Sequence, residues 1–186
     1  GLIRQIPLLL QLLFWYFVAF LGLPSEPLAP LGALISLSNQ GVAILGINLS
    51  VEFSAVLVGL SVFTGAAIAE VVRGGLDSVP RGQWEAFRSL GIGEALGMRR
   101  VVLPQALPAI LPALSSQYLN LAKNSTLAIA VGYADLYAVS DTAITQTGRA
   151  IEGFLILLLS FLALNLLITA GMQVLNRVVV HPAQRT

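Results

Sequence analysis

The chain has 186 residues, 56% of them hydrophobic and only 10% charged, with a net charge of +1, against about 45–50% and about 25% in soluble domains. Such a balance cannot cover a water-facing surface, so lipid is the solvent for most of the chain and no nucleic-acid partner is expected. The absence of cysteine removes disulfides, thiolate zinc sites and cysteine nucleophiles, and the lone His181, in the polar tail, cannot build a histidine metal cluster.

A membrane-crossing helix needs about 20 mostly apolar residues. The first candidate, residues 6–22, is slightly short and rich in aromatics. Its text, "IPLLLQLLFWYFVAFLG", continues past the apolar region of a signal peptide and has no small-residue cleavage pattern, so it reads as a span. Residues 23–52 begin with "LPSEPLAPLG" and continue into a semi-apolar stretch containing Gln, Asn and Ser. This composition argues for an interfacial or partly re-entrant segment rather than a further span. A second span is expected over residues 53–72, a third over 105–133 and a fourth, the clearest, over 154–176. The third is broken by Pro108 and Pro112 and carries Lys123. Prolines near the start of a span are tolerated in a first turn or as kinks packed by neighbouring helices.

Lys/Arg asymmetry orients the bundle. Five arginines (Arg73, Arg81, Arg88, Arg99, Arg100) lie between residues 73 and 100, whereas residues 22–52 hold no Lys or Arg. The insert 73–104 is therefore expected on the cytoplasmic side. Arg4, Arg177 and Arg185 fall on that same side by alternation, and 23–52 and 134–152 fall on the other.

Within the insert, "DSVPRGQWEAFRSLG" is expected to be a short helix, with Ser78 as N-cap, Pro80 in the first turn and Gly91 as the stop. At about 100° per residue, Pro80, Gln83, Trp84, Ala86, Phe87 and Leu90 share one arc, and Arg81, Glu85, Arg88 and Ser89 the other. Glu85 and Arg88 are also i, i+3 neighbours. Amphipathicity alone fits a helix lying on lipid headgroups. A lipid-lying helix, however, has no use for a glycine turn, a second short helix "EALGMRRVV" and a Leu-Pro stop at set distances, whereas a knob docking into a partner's cleft does.

The order of residues is specific: Glu85-Ala86, Gly91 five residues after Ala86, nine intervening residues, Val101, then Leu103-Pro104. It resembles the EAA motif of the permease subunits of ABC importers. Phe87 stands where the usual second alanine would be and Val101 where the usual isoleucine would be. Phe87 lies on the apolar arc, so its replacement bears on packing in a partner's groove rather than on docking itself. "AEVVRGGLDSVPRGQWEA", "LAKNSTLAIAVGYADL", "GINLSVEF" and "TQTGRAIE" extend the resemblance over nearly the whole chain, toward polar and general L-amino acid permeases.

The resemblance implies an all-α integral membrane bundle in the bacterial inner membrane, with a cytoplasmic coupling helix. Gln83, Glu85, Ala86, Phe87, Arg88, Gly91, Leu103 and Pro104 would form its coupling loop. Implied partners are a cytoplasmic ABC ATPase subunit, a second permease subunit, a periplasmic amino-acid-binding protein and membrane lipid. Such relatives carry at least one further span upstream, so the chain, which begins at Gly1, is expected to be a C-terminal portion of a longer subunit.

Lys123 lies inside an apolar region, where an unpaired charge is costly and functional by default. With Asn124, Ser125 and Thr126 it is a candidate lining for the path of a zwitterionic amino acid; a structural ion pair with Glu70 or with a second subunit stands beside that reading. Glu70 has Arg73 as an i, i+3 partner, and either an interfacial role or a place on the pathway follows. Asp135, Asp141 and Glu152 are expected as solvated charges or docking points for a binding protein. The chain has no GxxxxGK[ST] phosphate loop and no serine–histidine pair, so no cofactor is expected on it, no catalysis, and ATP use by a partner. An ion-coupled secondary transporter, with Lys123 and Glu70 as coupling charges, is the alternative. An intramembrane enzyme or a purely structural membrane subunit is less consistent with these residues.

Overall fold

The computed structural model describes residues 2–28 and 34–183, with side chains described for residues 3–28 and 34–179. The expectations for the His181 side chain and for Arg185 lie outside the described residues. Two compact units form, one from residues up to Ala66 together with Leu121–Leu162, the other from Ala67–Asn120 together with residues from Ala163 onward.

In the first unit, helix α1 (Leu8–Leu13) runs into a π-helical turn, Phe14–Phe20. The buried Gln11 amide donates to the carbonyls of Ile3 (2.6 Å) and Ile6 (3.0 Å), which folds the preceding short 3-10 turn back onto α1. Leu8 and Leu12 pack with Val56 and Leu60 of helix α2 (Val51–Asp77) and with Ala128 and Val131 of a 3-10 helix, Ser125–Val131. Between helices in lipid the gain comes from close van der Waals contact rather than from water expulsion. Gly59 supplies the room: a Cβ there would lie 2.6 Å from Leu12 Cδ2.

Residues 34–50, within the stretch expected to be interfacial or partly re-entrant, are not helical. They fold as an antiparallel meander in the order β1 (Ile35–Ser38), β2 (Gly41–Ile44), β3 (Ile47–Ser50), with Ile35 opposite Ile44, Gly41 opposite Ser50 and Ile44 opposite Ile47. The cause is local: β-branched Ile and Val recur at strand positions, and Leu45 (φ +51°) and Gly46 (φ +83°) make the two-residue left-handed turn that matches strand twist. An Asn would occupy the first of those positions at lower cost than a leucine. The Ser54 hydroxyl, almost fully buried, accepts from the Val42 amide (3.1 Å) and donates to the Ser50 carbonyl (2.8 Å), tying the sheet to the first turns of α2.

The stretch 134–152, expected as a connection, contains helix α6 (Leu136–Thr147). Asp135 is its N-cap, its carboxylate accepting from the Ala138 amide at 2.9 Å. One of the three acids expected to be solvated there thus has a local structural task, while Asp141 and Glu152 are exposed.

In the second unit, the end of α2 is followed by helices α3 (Arg81–Ser89) and α4 (Glu94–Gly97), a π turn (Met98–Val102) and helix α5 (Leu103–Asn124). The helix does not stop at Leu103-Pro104, as the sequence suggested. It continues from Glu94 through to Val131. A proline ring clashes with the carbonyl four residues back, and the wide π turn just before Pro104 opens the backbone at that place. Val79, Phe87, Val102, Ala106 and Ile110 form the buried cluster.

Among the described residues two helices are long and apolar enough to cross a membrane: Val51–Asp77, of mean hydropathy 2.1, and Ala150–Val179, of mean hydropathy 2.4, within α7 (Ala150–Ala183). Glu94–Val131 and Leu136–Thr147 qualify only as a pair bent by 59°, and the apolar helix Leu8–Phe20 is shorter. The helix-bundle class expected from composition holds, with one small sheet added to it.

Candidate functional site

The charged insert is assembled in the second unit. Ser78 does not cap α3: its hydroxyl donates to the Gly75 carbonyl at 2.7 Å and closes the end of α2 instead. Pro80, extended at φ −53° and ψ 135°, occupies the N-cap and starts α3 at Arg81. A proline there loses no hydrogen bond, because the first amides of a helix have no partner within it.

At the other end Gly91 takes φ +69°, and the amides of Gly91 and Ile92 donate to the carbonyls of Arg88 (3.0 Å) and Phe87 (3.0 Å). That pair of bonds is a Schellman closure, which needs a left-handed residue and so favours glycine. The turn folds α4 back toward α3. Arg88 therefore pairs with Glu94, Nε to Oε1 at 2.7 Å, rather than with Glu85, which has no ion-pair partner among the described residues. The Arg88 guanidinium also lies 5.8 Å from the ring centres of Trp84 and Phe87.

The apolar arc divides in three dimensions. Phe87 is 2% exposed and Trp84 half-buried, whereas Gln83, Ala86 and Leu90 face outward, Leu90 at 76% exposure. Phe87 does not lie on a docking surface, as its place on the arc suggested. Its ring fills the position that a Cβ on Gly97 would take. A large residue on α3 is thus matched by the absence of a side chain on α4, and the insert becomes a small packed body. Gln105 of α5 adds a polar tie, donating to Gln83 Oε1 (3.3 Å) and to the Val101 carbonyl (2.9 Å). Leu103 and Pro104 are half-buried at the start of α5.

The outward face is what this body presents: Gln83, Glu85, Ala86, Leu90 and Gly91, beside the exposed Arg88. A cleft of about 580 Å³ opens next to it, floored by Leu76, Val79 and Trp84 and rimmed by Asp77, Arg81, Glu85 and Arg88. An apolar floor with a rim of both charge signs suits a protein surface. Among the described residues no group of His, Asp or Glu is placed to hold a metal ion. Gly97, Gln105 and Val79 were not singled out in the sequence; the only signal for Gly97 was a glycine within a helical stretch.

The second set of residues lies at the junction of α5 and the 3-10 helix, in the first unit. Lys123 is exposed and Asn124 half-buried. The hydroxyls are not free donors: Ser125 donates to the Ala122 carbonyl (2.9 Å) and Thr126 to the Lys123 carbonyl (2.8 Å). Their oxygens retain acceptor capacity, so Lys123 and the Asn124 amide carry the capacity to donate to a carboxylate. Glu70 is exposed on the part of α2 that belongs to the other unit.

Over residues 4–181 the chain matches the family described as binding-protein-dependent transport system inner membrane component. It is similar to the putative amino-acid ABC transporter permease protein YhdX of Escherichia coli K12, with 45% identity covering 71% of this chain and 34% of that protein. The general L-amino acid transport system permease protein AapQ of Rhizobium johnstonii is 48% identical, over 67% of this chain and 31% of that protein. The probable glutamine ABC transporter permease protein GlnM of Bacillus subtilis is 34% identical, over 94% of this chain and 70% of its own length. Thus the chain spans about a third of the length of the first two relatives. Among solved structures, a crystal structure of an amino acid ABC transporter with histidines superposes with a TM-score of 0.69 at 30% identity, covering 95% of this chain and 71% of that one.

Proposed function

Because the chain belongs to the family of binding-protein-dependent transport system inner membrane components, we propose that it is the membrane-embedded part of an ATP-driven importer of L-amino acids, coupled to a separate ATPase through its charged insert. The observation that carries this reading is the division of α3. Phe87 and Trp84 anchor it to its own chain, while Gln83, Glu85, Ala86 and Leu90 remain outside as a docking face. The names of the relatives support the amino acid as cargo.

In this reading the insert is cytoplasmic, as its arginines favour, and the chain crosses the inner membrane four times. It works beside a second permease subunit and receives its substrate from a binding protein on the opposite side. Nucleotide binding would close the ATPase pair and pull on the docked face of α3. Phe87 against Gly97, and Gln83 bonded to Gln105, connect α3 to the helix that continues into α5. A displacement of the insert would thereby act on the start of α5, and an amino acid carboxylate would meet Lys123 and Asn124. The permease makes and breaks no covalent bond; its conformational equilibrium is biased by a partner that binds one state better.

The test is co-purification of the full-length subunit with its ATPase in detergent, comparing the native chain with Ala86→Arg and Leu90→Glu. Both positions are exposed, so these variants spare the packed body beneath. Stoichiometric capture that falls at least about tenfold in both, a change of about 1.4 kcal/mol or more, is the expected result. Equal capture in all three would remove the insert from the ATPase interface and return the secondary-transporter reading.

A further inference from the structure

Helix α2 sets the depth of the small sheet. It carries no charged residue from Phe53 to Ala69, and Glu52 and Glu70 bound that stretch. At about 1.5 Å per residue this length is close to the ~30 Å hydrocarbon core. The surplus of the 27-residue helix, with Arg73 and Asp77, then lies beyond the boundary at its C-terminal end. Its N-terminus has no surplus. Val51 follows Ser50 of β3 without a linker, and the Ser54 bonds hold β2 and β3 against the first turns of α2. The sheet therefore begins at the membrane boundary that receives the N-terminus of α2.

Its surface suits that place. No charged residue occurs between Pro27 and Val51. The β2–β3 hairpin, about 13 Å long at ~3.3 Å per residue, ends in an exposed apolar tip, with Leu45 at 71%, Ile47 at 67% and Ile44 at 39% exposure. Leu45 sits in a left-handed turn position where Asn, Asp or Gly is the usual choice. A tip standing in water would gain from any of these; an apolar side chain there gains only in contact with something apolar. Lipid is the apolar phase that the continuity with α2 brings to it.

We propose that the β2–β3 hairpin is a membrane anchor, with Ile44, Leu45 and Ile47 seated at the headgroup–acyl boundary of the leaflet that receives the N-terminus of α2. The absence of charge makes this seating indifferent to anionic lipid. It fixes the height and tilt at which α2 enters the bilayer.

Residues 1–186 contain no cysteine, so a single introduced thiol is addressable once any cysteine elsewhere in the subunit and its partners is replaced by serine. Leu45→Cys and, separately, Ile47→Cys are introduced in the full-length subunit, labelled with a nitroxide, and reconstituted with its partner subunits in phosphatidylcholine vesicles. Power saturation then compares collision with oxygen, which concentrates in lipid, and with a water-soluble nickel chelate. Oxygen accessibility several-fold above that of the chelate at both positions is expected, unchanged when one fifth of the lipid is phosphatidylglycerol. The reverse ratio at either position overturns the proposal by placing the tip in water. Low accessibility to both reagents overturns it by placing a protein on the tip. Ile47 lies in regular strand, so its variant reports even if the strained turn at residue 45 is altered by labelling.

Discussion

Helix α2 has an irregular structure at each end, and the two are built on opposite plans. At its C-terminal end the charged insert hides its aromatic residues and shows polar ones: Phe87 is buried against Gly97, while Glu85 and Arg88 are outside. At its N-terminal end the sheet pairs β1, β2 and β3 in a meander and shows apolar side chains, with Leu45 and Ile47 at the tip. The first plan suits a body that leaves lipid and meets water and protein. The second suits one whose exposed side chains meet an apolar phase. The difference shows that the same chain changes its rule for what faces out within one helix length.

The largest effect should come from removing the centre of the insert. Phe87→Ala is expected to cost about 3–5 kcal/mol, as deletion of a buried aromatic does, and to lower the melting temperature of the purified subunit. Gly97→Leu alone should also destabilise, by about 1–3 kcal/mol from overpacking. The double variant, which exchanges the large and small positions, should recover part of the loss. Additive losses in that thermal melt would mean that the two residues do not share a space.

At the other end of α2, Ser54→Ala leaves the Val42 amide without its acceptor. A cost of about 1–3 kcal/mol is expected, confined to the sheet and read as faster hydrogen exchange of residues 41–50 with no change in the insert. Loss of protection in both regions would contradict the independence of the two plans. The smallest effect is expected at the Arg88–Glu94 pair, whose side chains are 54% and 65% exposed. Glu94→Gln should cost about 0.2–1 kcal/mol, and less at high salt. A larger penalty in a salt series would make the pair a part of the insert's core rather than its rim.

The insert was legible in the sequence because its signals are local. Pro80 and Gly91 bound a nine-residue helix on backbone grounds that require no neighbour. The long apolar helices Val51–Asp77 and Ala150–Val179 were legible for the same reason, since length and composition decide them. The sheet was not: its alternation is short, its turn uses Leu45 in place of the usual Asn, and its lack of charge resembles that of a re-entrant segment. Nor was the capping role of Asp135, although a polar residue opening an apolar helix is a common N-cap. The hydroxyls of Ser125 and Thr126 looked available because their bonds to carbonyls three residues back belong to the helix and leave no mark in composition.

By itself the sequence determined that the chain is a membrane helix bundle, where its charge is concentrated, and that the residues from Glu85 to Pro104 form a unit of fixed spacing. Only the tertiary structure decided which way each of those residues faces. Helical periodicity places Phe87, Ala86 and Leu90 on one arc, and nothing in that arc distinguishes a side chain packed against its own chain from one left for a partner. That choice depends on whether space exists opposite each position, and the space for Phe87 is made by the missing side chain of Gly97, ten residues further on and brought close only by the turn at Gly91.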